Sequence, residues 1–405
     1  MRFYTAMAGL VAMLSTSARA HEPVHTLELS WGETLPYNSL RGIVSLAQSA
    51  SEGAGAIVDM VEPNTPLGRW GEMTVVGLFD GFMACSGHEF SHALFFERTG
   101  GFHLAGSGMC FNPDVELGEV RTQQDVELLR LNYGSGYNFH ALSAEYTIER
   151  SLFGGDIHDA LYYLINRFSQ TGYTLATYTQ GPLDSHPPNK IYTGSVPVGT
   201  WDLELYTMFM NLWMEKERPY VNDRVNAHEI AARQFLAELL TWENYHAVYT
   251  LGHYGTTGNK EYRPWMVEVG GLELMPPVFS VYLTSENPLF ASSFFGVFET
   301  FPFQIMYAQD YSLLHGDSPQ IHYIKARALD LIPYLPFDVE LGGAITARDK
   351  GKTGYSFTVG GLVPFATRSL RWGGKIIVQE SDIMESLYQA PNFLSLGILE
   401  LDIHS

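Results

Sequence analysis

The chain has 405 residues, 46% hydrophobic and 17% charged, enough apolar material for a sizeable core and too much for a disordered chain. Its 44 acidic residues against 24 basic give a formal charge of −20, which argues against a nucleic-acid partner, because phosphate binding needs clustered Lys and Arg. Two cysteines are too few for a disulfide-built scaffold.

The first twenty residues read as a secretory signal. Arg2 gives a basic start, residues 6–14 are apolar, and Ala18-Arg19-Ala20 is a small-x-small cleavage site. The apolar run is too short to span a membrane. Cleavage before His21 removes Arg2 and Arg19, taking the basic count from 24 to 22 and the charge to −22. The short signal is of the bacterial kind. It points to the periplasm or outer membrane, ahead of release to the exterior.

Residues 26–31 alternate like a strand, and residues 39–61 carry a helical pattern. An apolar stretch over residues 73–96 predicts a helix, with Gly100-Gly101 as its stop. Further helices are expected at 123–131, 138–152, 157–168, 203–215 and 225–245. Gly134-Ser135-Gly136 reads as a turn before the second of these, and Gly181-Pro182 and Pro187-Pro188 as breaks. From about Met266 the pattern changes to strands, at 267–274, 278–283, 321–329, 338–347, 355–363, 370–378 and 394–403. Asp349-Lys350-Gly351-Lys352 is a hairpin turn between two of them. The expected class is α+β: a signal at 1–20, a mainly helical zincin-like domain at 21–262, and an antiparallel β domain at 263–405. The β domain reads as a soluble sandwich or small barrel in preference to a transmembrane barrel. The last residues lack a terminal aromatic, and the strands look few for closure.

The predicted helix at 73–96 contains His88-Glu89-Phe90-Ser91-His92, an H-E-x-x-H sequence. Chance supplies such a match in about 0.03 of chains of this composition, so the pattern carries weight. Positions i and i+4 share one helix face, which lets His88 and His92 bind one zinc ion while Glu89 reaches water as general base. The metzincin extension needs Gly at 95 and His at 98, where this chain has Phe95 and Arg98. An intramembrane protease is disfavoured too. No apolar run of 18 residues follows the signal, and Leu78-Phe79-Asp80-Gly81 stands before the histidines and differs from that family's L-D-G element.

The H-E-x-x-H segment and the later helix with Ser-Ala-Glu145-Tyr146-Thr-Ile-Glu149 resemble the gluzincin group of zinc metallopeptidases over residues 88–149. The resemblance implies Glu145 as third zinc ligand, with Glu149 where that group has Asp. Glu116, Glu119, Glu149, His140 and His228 remain rivals, and the half-motif His228-Glu229 reads more simply as a polar helix start. The implied activity is peptide-bond hydrolysis by a metal-activated water, with Glu89 as base and Zn2+ as cofactor. Tyr133, Tyr146, His140 and His228 could each stabilise the oxyanion. The alternative is a non-enzymatic outer-membrane β-barrel or envelope scaffold whose H-E-x-x-H is structural or vestigial. In an oxidising compartment Cys85 and Cys110 are expected to form one disulfide, bringing the Gly-rich segment 99–108 onto the motif helix. A peptide or protein substrate and an envelope partner complete the expectation.

Overall fold

The structure, a computed structural model, describes residues 24–31, 40–59, 65–98, 103–105, 114–117, 123–152, 154–180, 194–195, 203, 206–207, 227–298, 301–310, 321–328, 338–349, 353–365, 367–380 and 393–404. It combines helices with antiparallel sheets, as the α+β expectation required.

Strand β1 (Val24–Trp31) leads to helix α1 (Leu40–Asp59). Leu40, Ile43, Val44 and Ala47 of α1 recur at helical spacing and all point into the core. Helix α2 (Pro66–Arg98) carries the H-E-x-x-H segment. Its start has a physical cause: Thr65 Oγ1 accepts from the Gly68 amide at 3.1 Å, and Pro66 occupies the first helical position, where no amide is needed. Short strands β2 (His103–Ala105) and β3 (Asp114–Leu117) precede helix α3 (Gln123–Ser151). Strand β4 (Gly155–Asp156) runs into helix α4 (Ile157–Gln180), with Asp156 Oδ1 accepting from the His158 amide at 3.0 Å. Strand β5 (Gly194–Ser195) pairs with β3. Helices α5 (Ala227–Leu240) and α6 (Trp242–Thr257) follow, and α6 ends on Gly258 in the left-handed conformation. Among the described residues no helix is long and apolar enough to cross a membrane.

Two helix expectations change. Residues 123–131 and 138–152 belong to one helix, so Gly134-Ser135-Gly136 lies in its interior rather than in a turn. The stretch 225–245 divides at Thr241, whose hydroxyl donates to Ala237 O at 2.7 Å and accepts from the Phe279 amide at 3.0 Å. The expected helix at 203–215 falls largely outside the described residues.

Strand β6 (Glu261–Tyr262) pairs with β4. Strands β7 (Val267–Val269) and β8 (Leu272–Leu274) form a hairpin turned by Gly270 and Gly271, both at positive φ. Then come β9 (Val278–Leu283), β10 (Pro288–Phe298), β11 (Phe301–Gln309), β12 (Ile321–Ala328), β13 (Asp338–Arg348), β14 (Gly354–Phe365), β15 (Thr367–Glu380) and β16 (Phe393–His404). In place of a sandwich, they make one 11-stranded antiparallel sheet, ordered β1-β16-β15-β14-β13-β12-β11-β10-β8-β7 with β9 also on β10. The most N-terminal strand thus pairs with the most C-terminal, Val24 opposite His404.

Helices α1 and α3 pack on one face of this sheet. Phe139, Leu142 and Tyr146 of α3 share a core with Tyr282, Leu289, Met306 and Tyr323. That same face is rich in buried polar groups. Arg327 pairs with Glu149 of α3 and lies 3.7 Å from Glu340, which also pairs with Lys375. Arg348 holds both carboxylate oxygens of Glu286, at 2.6 and 2.8 Å. The other face is apolar and exposed, with Ile324, Ile345, Phe357 and Trp372 all more than half accessible.

Candidate functional site: a chain of three buried histidines

His88, Glu89 and His92 sit two-thirds of the way along α2, where that helix crosses α3 and α4. The crossing is close because two glycines face it. A Cβ on Gly136 of α3 would lie 2.5 Å from the His88 ring, and one on Gly87 of α2 would lie 2.1 Å from the Phe139 ring. This is the role of the Gly-Ser-Gly sequence inside α3. It lets an imidazole fill the space that a side chain would take.

His88, His92 and His140 are buried to 1%, 4% and 1% exposure. His92 Nδ1 lies 2.8 Å from the Asn132 carbonyl oxygen, and Asn132 Nδ2 donates back to the His92 carbonyl at 2.8 Å. His92 Nε2 lies 3.1 Å from His88 Nε2. His88 Nδ1 lies 3.1 Å from His140 Nε2, and His140 Nδ1 lies 3.0 Å from Asn166 Oδ1 of α4. Tyr173 of α4 stacks on His88, with ring centroids 4.3 Å apart and planes within 9°.

The acceptors at the two ends fix the protons between them. Asn132 offers a carbonyl oxygen, so His92 carries its proton on Nδ1. Asn166 Nδ2 donates to the Tyr162 carbonyl at 3.0 Å, which leaves Oδ1 towards His140 and requires Nδ1–H there. The Nε2 of neutral His140 is then an acceptor, and His88 donates to it through Nδ1–H. With all three rings neutral, the Nε2 atoms of His88 and His92 meet acceptor against acceptor at 3.1 Å. A proton on one of the two rings would resolve that contact, and so would a cation held between them. Two nitrogens on a tetrahedral zinc at 2.0–2.1 Å stand about 3.3 Å apart, close to the observed separation. The backbone carbonyl behind His92 and the His140–Asn166 pair behind His88 fix the orientation of the two rings, as outer supports do for histidines that bind metals.

The third ligand expected at Glu145 points elsewhere. Its two oxygens accept from Ser293 Oγ at 2.8 Å and Gln304 Nε2 at 3.2 Å, both on the sheet. Five residues beyond His140, it occupies a different face of α3. Glu149 is paired with Arg327 and Glu229 with Arg233. His140 is brought into the cluster, though against His88 Nδ1 rather than beside the two Nε2 atoms. Glu89 is half-buried. Tyr133 and Tyr146 are buried, and His228 lies at the start of α5. The Glu116 side chain, Glu119 and Cys110, with the proposed disulfide to Cys85, lie outside the described residues. Among the described residues no group of three or more His, Cys, Asp or Glu side chains is arranged to hold a metal.

Asn132, Asn166, Ser135 and Tyr173 were not anticipated. Asn132 in Leu-Arg-Leu-Asn-Tyr and Asn166 in Leu-Ile-Asn-Arg-Phe are poor helix formers within apolar runs, and that was the available signal.

Two turns before His88, about 12 Å along the helix, Asp80 is fully buried and accepts from Ser51 Oγ at 2.5 Å. Burial pushes its carboxyl up to about 7. Asp159, at the start of α4, is also raised well above the ordinary range, by burial and then by the neighbouring Glu52. His158 lies 3.6 Å from Asp156 and 3.7 Å from Glu72 in the same region.

Comparison with known families, curated proteins and solved structures finds no match for this chain. The functional reading therefore rests on the residues themselves.

Gly136→Ala tests the close crossing. Alanine gains about 1 kcal/mol over glycine in a helix interior, but here its methyl collides with the His88 ring, and overpacking costs about 1–3 kcal/mol. The expected result is a lower melting temperature and displaced imidazoles. Gly172→Ala on α4, where a Cβ meets nothing within 4 Å, is expected to raise stability slightly. Melting curves of both variants check the contrast, and equal behaviour would contradict it.

Proposed function

We propose that the protein is a metal-dependent hydrolase acting on peptide bonds, with His88 and His92 holding a divalent cation, zinc foremost, and Glu89 serving as general base. The observation that carries this reading is the Nε2–Nε2 contact between His88 and His92, each ring anchored through its other nitrogen. Zinc bound there would supply a Lewis acid that polarises a carbonyl and makes water acidic near neutral pH.

The chain's own groups have distinct parts. Asn132 and Ser135 fix the tautomer of His92 from one side, and Ser135 Oγ lies 3.3 Å from Nδ1. His140 and Asn166 fix His88 from the other. Glu89, adjacent to His88 and half-buried, would take a proton from the attacking water and pass it to the leaving nitrogen. Tyr173 covers the His88 ring and limits water on that side.

The test is cleavage of an unfolded protein substrate by the mature chain supplied with zinc. Cleavage that stops with a chelator and returns with added zinc supports the proposal. Cleavage indifferent to the chelator, or none by the zinc-loaded chain, overturns it.

A further inference from the structure

We propose that the exposed face of the large sheet is a lipid surface, and that strands β11 to β15 lie in the hydrocarbon layer of a bilayer with α1 and α3 packed behind them. The inference is independent of the metal site.

The sheet is inverted relative to one folded in water. Its register places Tyr307, Ile324, Ile345 and Tyr355 side by side across four strands on the outer face. The next row is Ala326, Gly343, Phe357 and Val378, and the one after it Ala328, Leu341, Val359 and Ile376. The first row ends on β15 at Glu380, opposite Tyr355, and the residues named in the two rows after it carry no charge. Arg327, Glu340 and Lys375 stand on the other face, where they pair with one another and with Glu149 of a helix. A soluble sheet hides its apolar rows and wets its charges, whereas a transmembrane barrel strand alternates apolar outside with polar inside.

Strands β11, β13, β14 and β15 have 9, 11, 12 and 14 residues, and β12 between them has 8. A membrane-spanning strand needs roughly 9–11 when tilted. Polar aromatic groups mark one rim: Tyr307 OH lies 2.9 Å from His322 Nδ1, and Tyr355 OH donates to Glu380 at 2.9 Å. Trp372 is exposed towards the opposite end of the strands.

An open edge in hydrocarbon would strand backbone groups. Here the edge at β9 is sealed by helix side chains. Thr241 accepts from the Phe279 amide, Arg167 donates to the Phe279 carbonyl, Gln170 to Val281, and Asn138 exchanges two bonds of 2.8 Å with Leu283. Of the sheet's two other ends, β1 packs along α1, and the short β7 lies beyond the strands assigned to the bilayer. The occupant that these features fit is therefore a layer of acyl chains.

The experiment uses the mature chain, residues 21–405, refolded into vesicles of dilauroyl phosphatidylcholine. The expected result is flotation with the vesicles. Brominated lipid should quench wild-type tryptophan emission more than that of Trp372→Phe. Val359→Arg, a charge two rows in from the tyrosine rim, is expected to lower partitioning by roughly 30-fold or more. Glu268→Arg, on the exposed β7, should leave it unchanged. Because Val359→Arg could also fold poorly, the quenching of Trp372 in the otherwise native chain carries the test separately. A chain that remains in water as a folded monomer without detergent overturns the proposal. So does a soluble oligomer that Val359→Arg disperses, which would assign the face to a second copy of the chain.

Discussion

Glu89→Gln is expected to lower hydrolysis by roughly 10²- to 10⁴-fold, the usual contribution of a positioned general base. The substitution keeps the shape of the side chain and removes its ability to accept a full proton. Glu89 is half-buried on α2, whereas the two histidines are held by Asn132, Ser135, His140 and Asn166. Glutamine keeps the size of glutamate and one oxygen acceptor, so metal content and melting temperature should stay near wild type. Loss of activity with retained metal is the signature of the base. Undiminished cleavage by Glu89→Gln would remove this residue from the mechanism, and parallel loss of metal would make it a structural group instead.

Asp80→Asn is expected to stabilise the protein above neutral pH. The carboxyl is fully buried, and its folded value of about 7 stands well above the ordinary 3.8. At 1.36 kcal/mol per unit, the penalty for ionising it in the folded state is about 4 kcal/mol. The sign follows from proton binding. Below about pH 4 both folded and unfolded chains hold the proton, so this group exerts no penalty. Between about 4 and 7 the unfolded chain releases it while the folded chain retains it, and stability falls as pH rises. Above about 7 the loss is complete. Asparagine cannot ionise and still offers an oxygen to Ser51 Oγ. Urea midpoints at pH 4.5 and pH 8 should therefore differ less in Asp80→Asn than in wild type, with the gain at pH 8. Asp159 shifts in the same direction and keeps some pH dependence in the variant. Identical profiles for the two proteins would contradict the assignment.

Much of the secondary structure could be read from periodicity. Expected helix α1 over 39–61 is found at Leu40–Asp59, and the expected strand over 338–347 at Asp338–Arg348. Strands β10 and β11 escaped for a definite reason. In β10, Leu289, Ala291 and Phe295 face inward and Phe290, Phe294 and Phe298 alternate with them, so both faces are apolar and no two-residue alternation shows. Pro302 within β11 further disguised that strand. The Gly-Ser-Gly sequence looked like a turn because its purpose lies in another helix, at His88. The histidines of the candidate site were legible from their i, i+4 spacing. Their supports were not, because Asn132, His140 and Asn166 meet them only through the packing of α2, α3 and α4. Glu145 was chosen for its position on a helix beyond the motif, and sequence spacing does not reveal that this face of α3 meets Ser293 and Gln304.

The most direct test is the zinc content of the purified chain without residues 1–20, measured beside His92→Ala and Asn166→Leu after equal exposure to zinc. The expected result is one zinc per wild-type chain, none in His92→Ala, and an affinity lowered roughly 10- to 100-fold in Asn166→Leu, the usual loss when a ligand's outer support is removed. A wild-type chain that takes up no zinc, or a His92→Ala chain that holds as much as wild type, would contradict it.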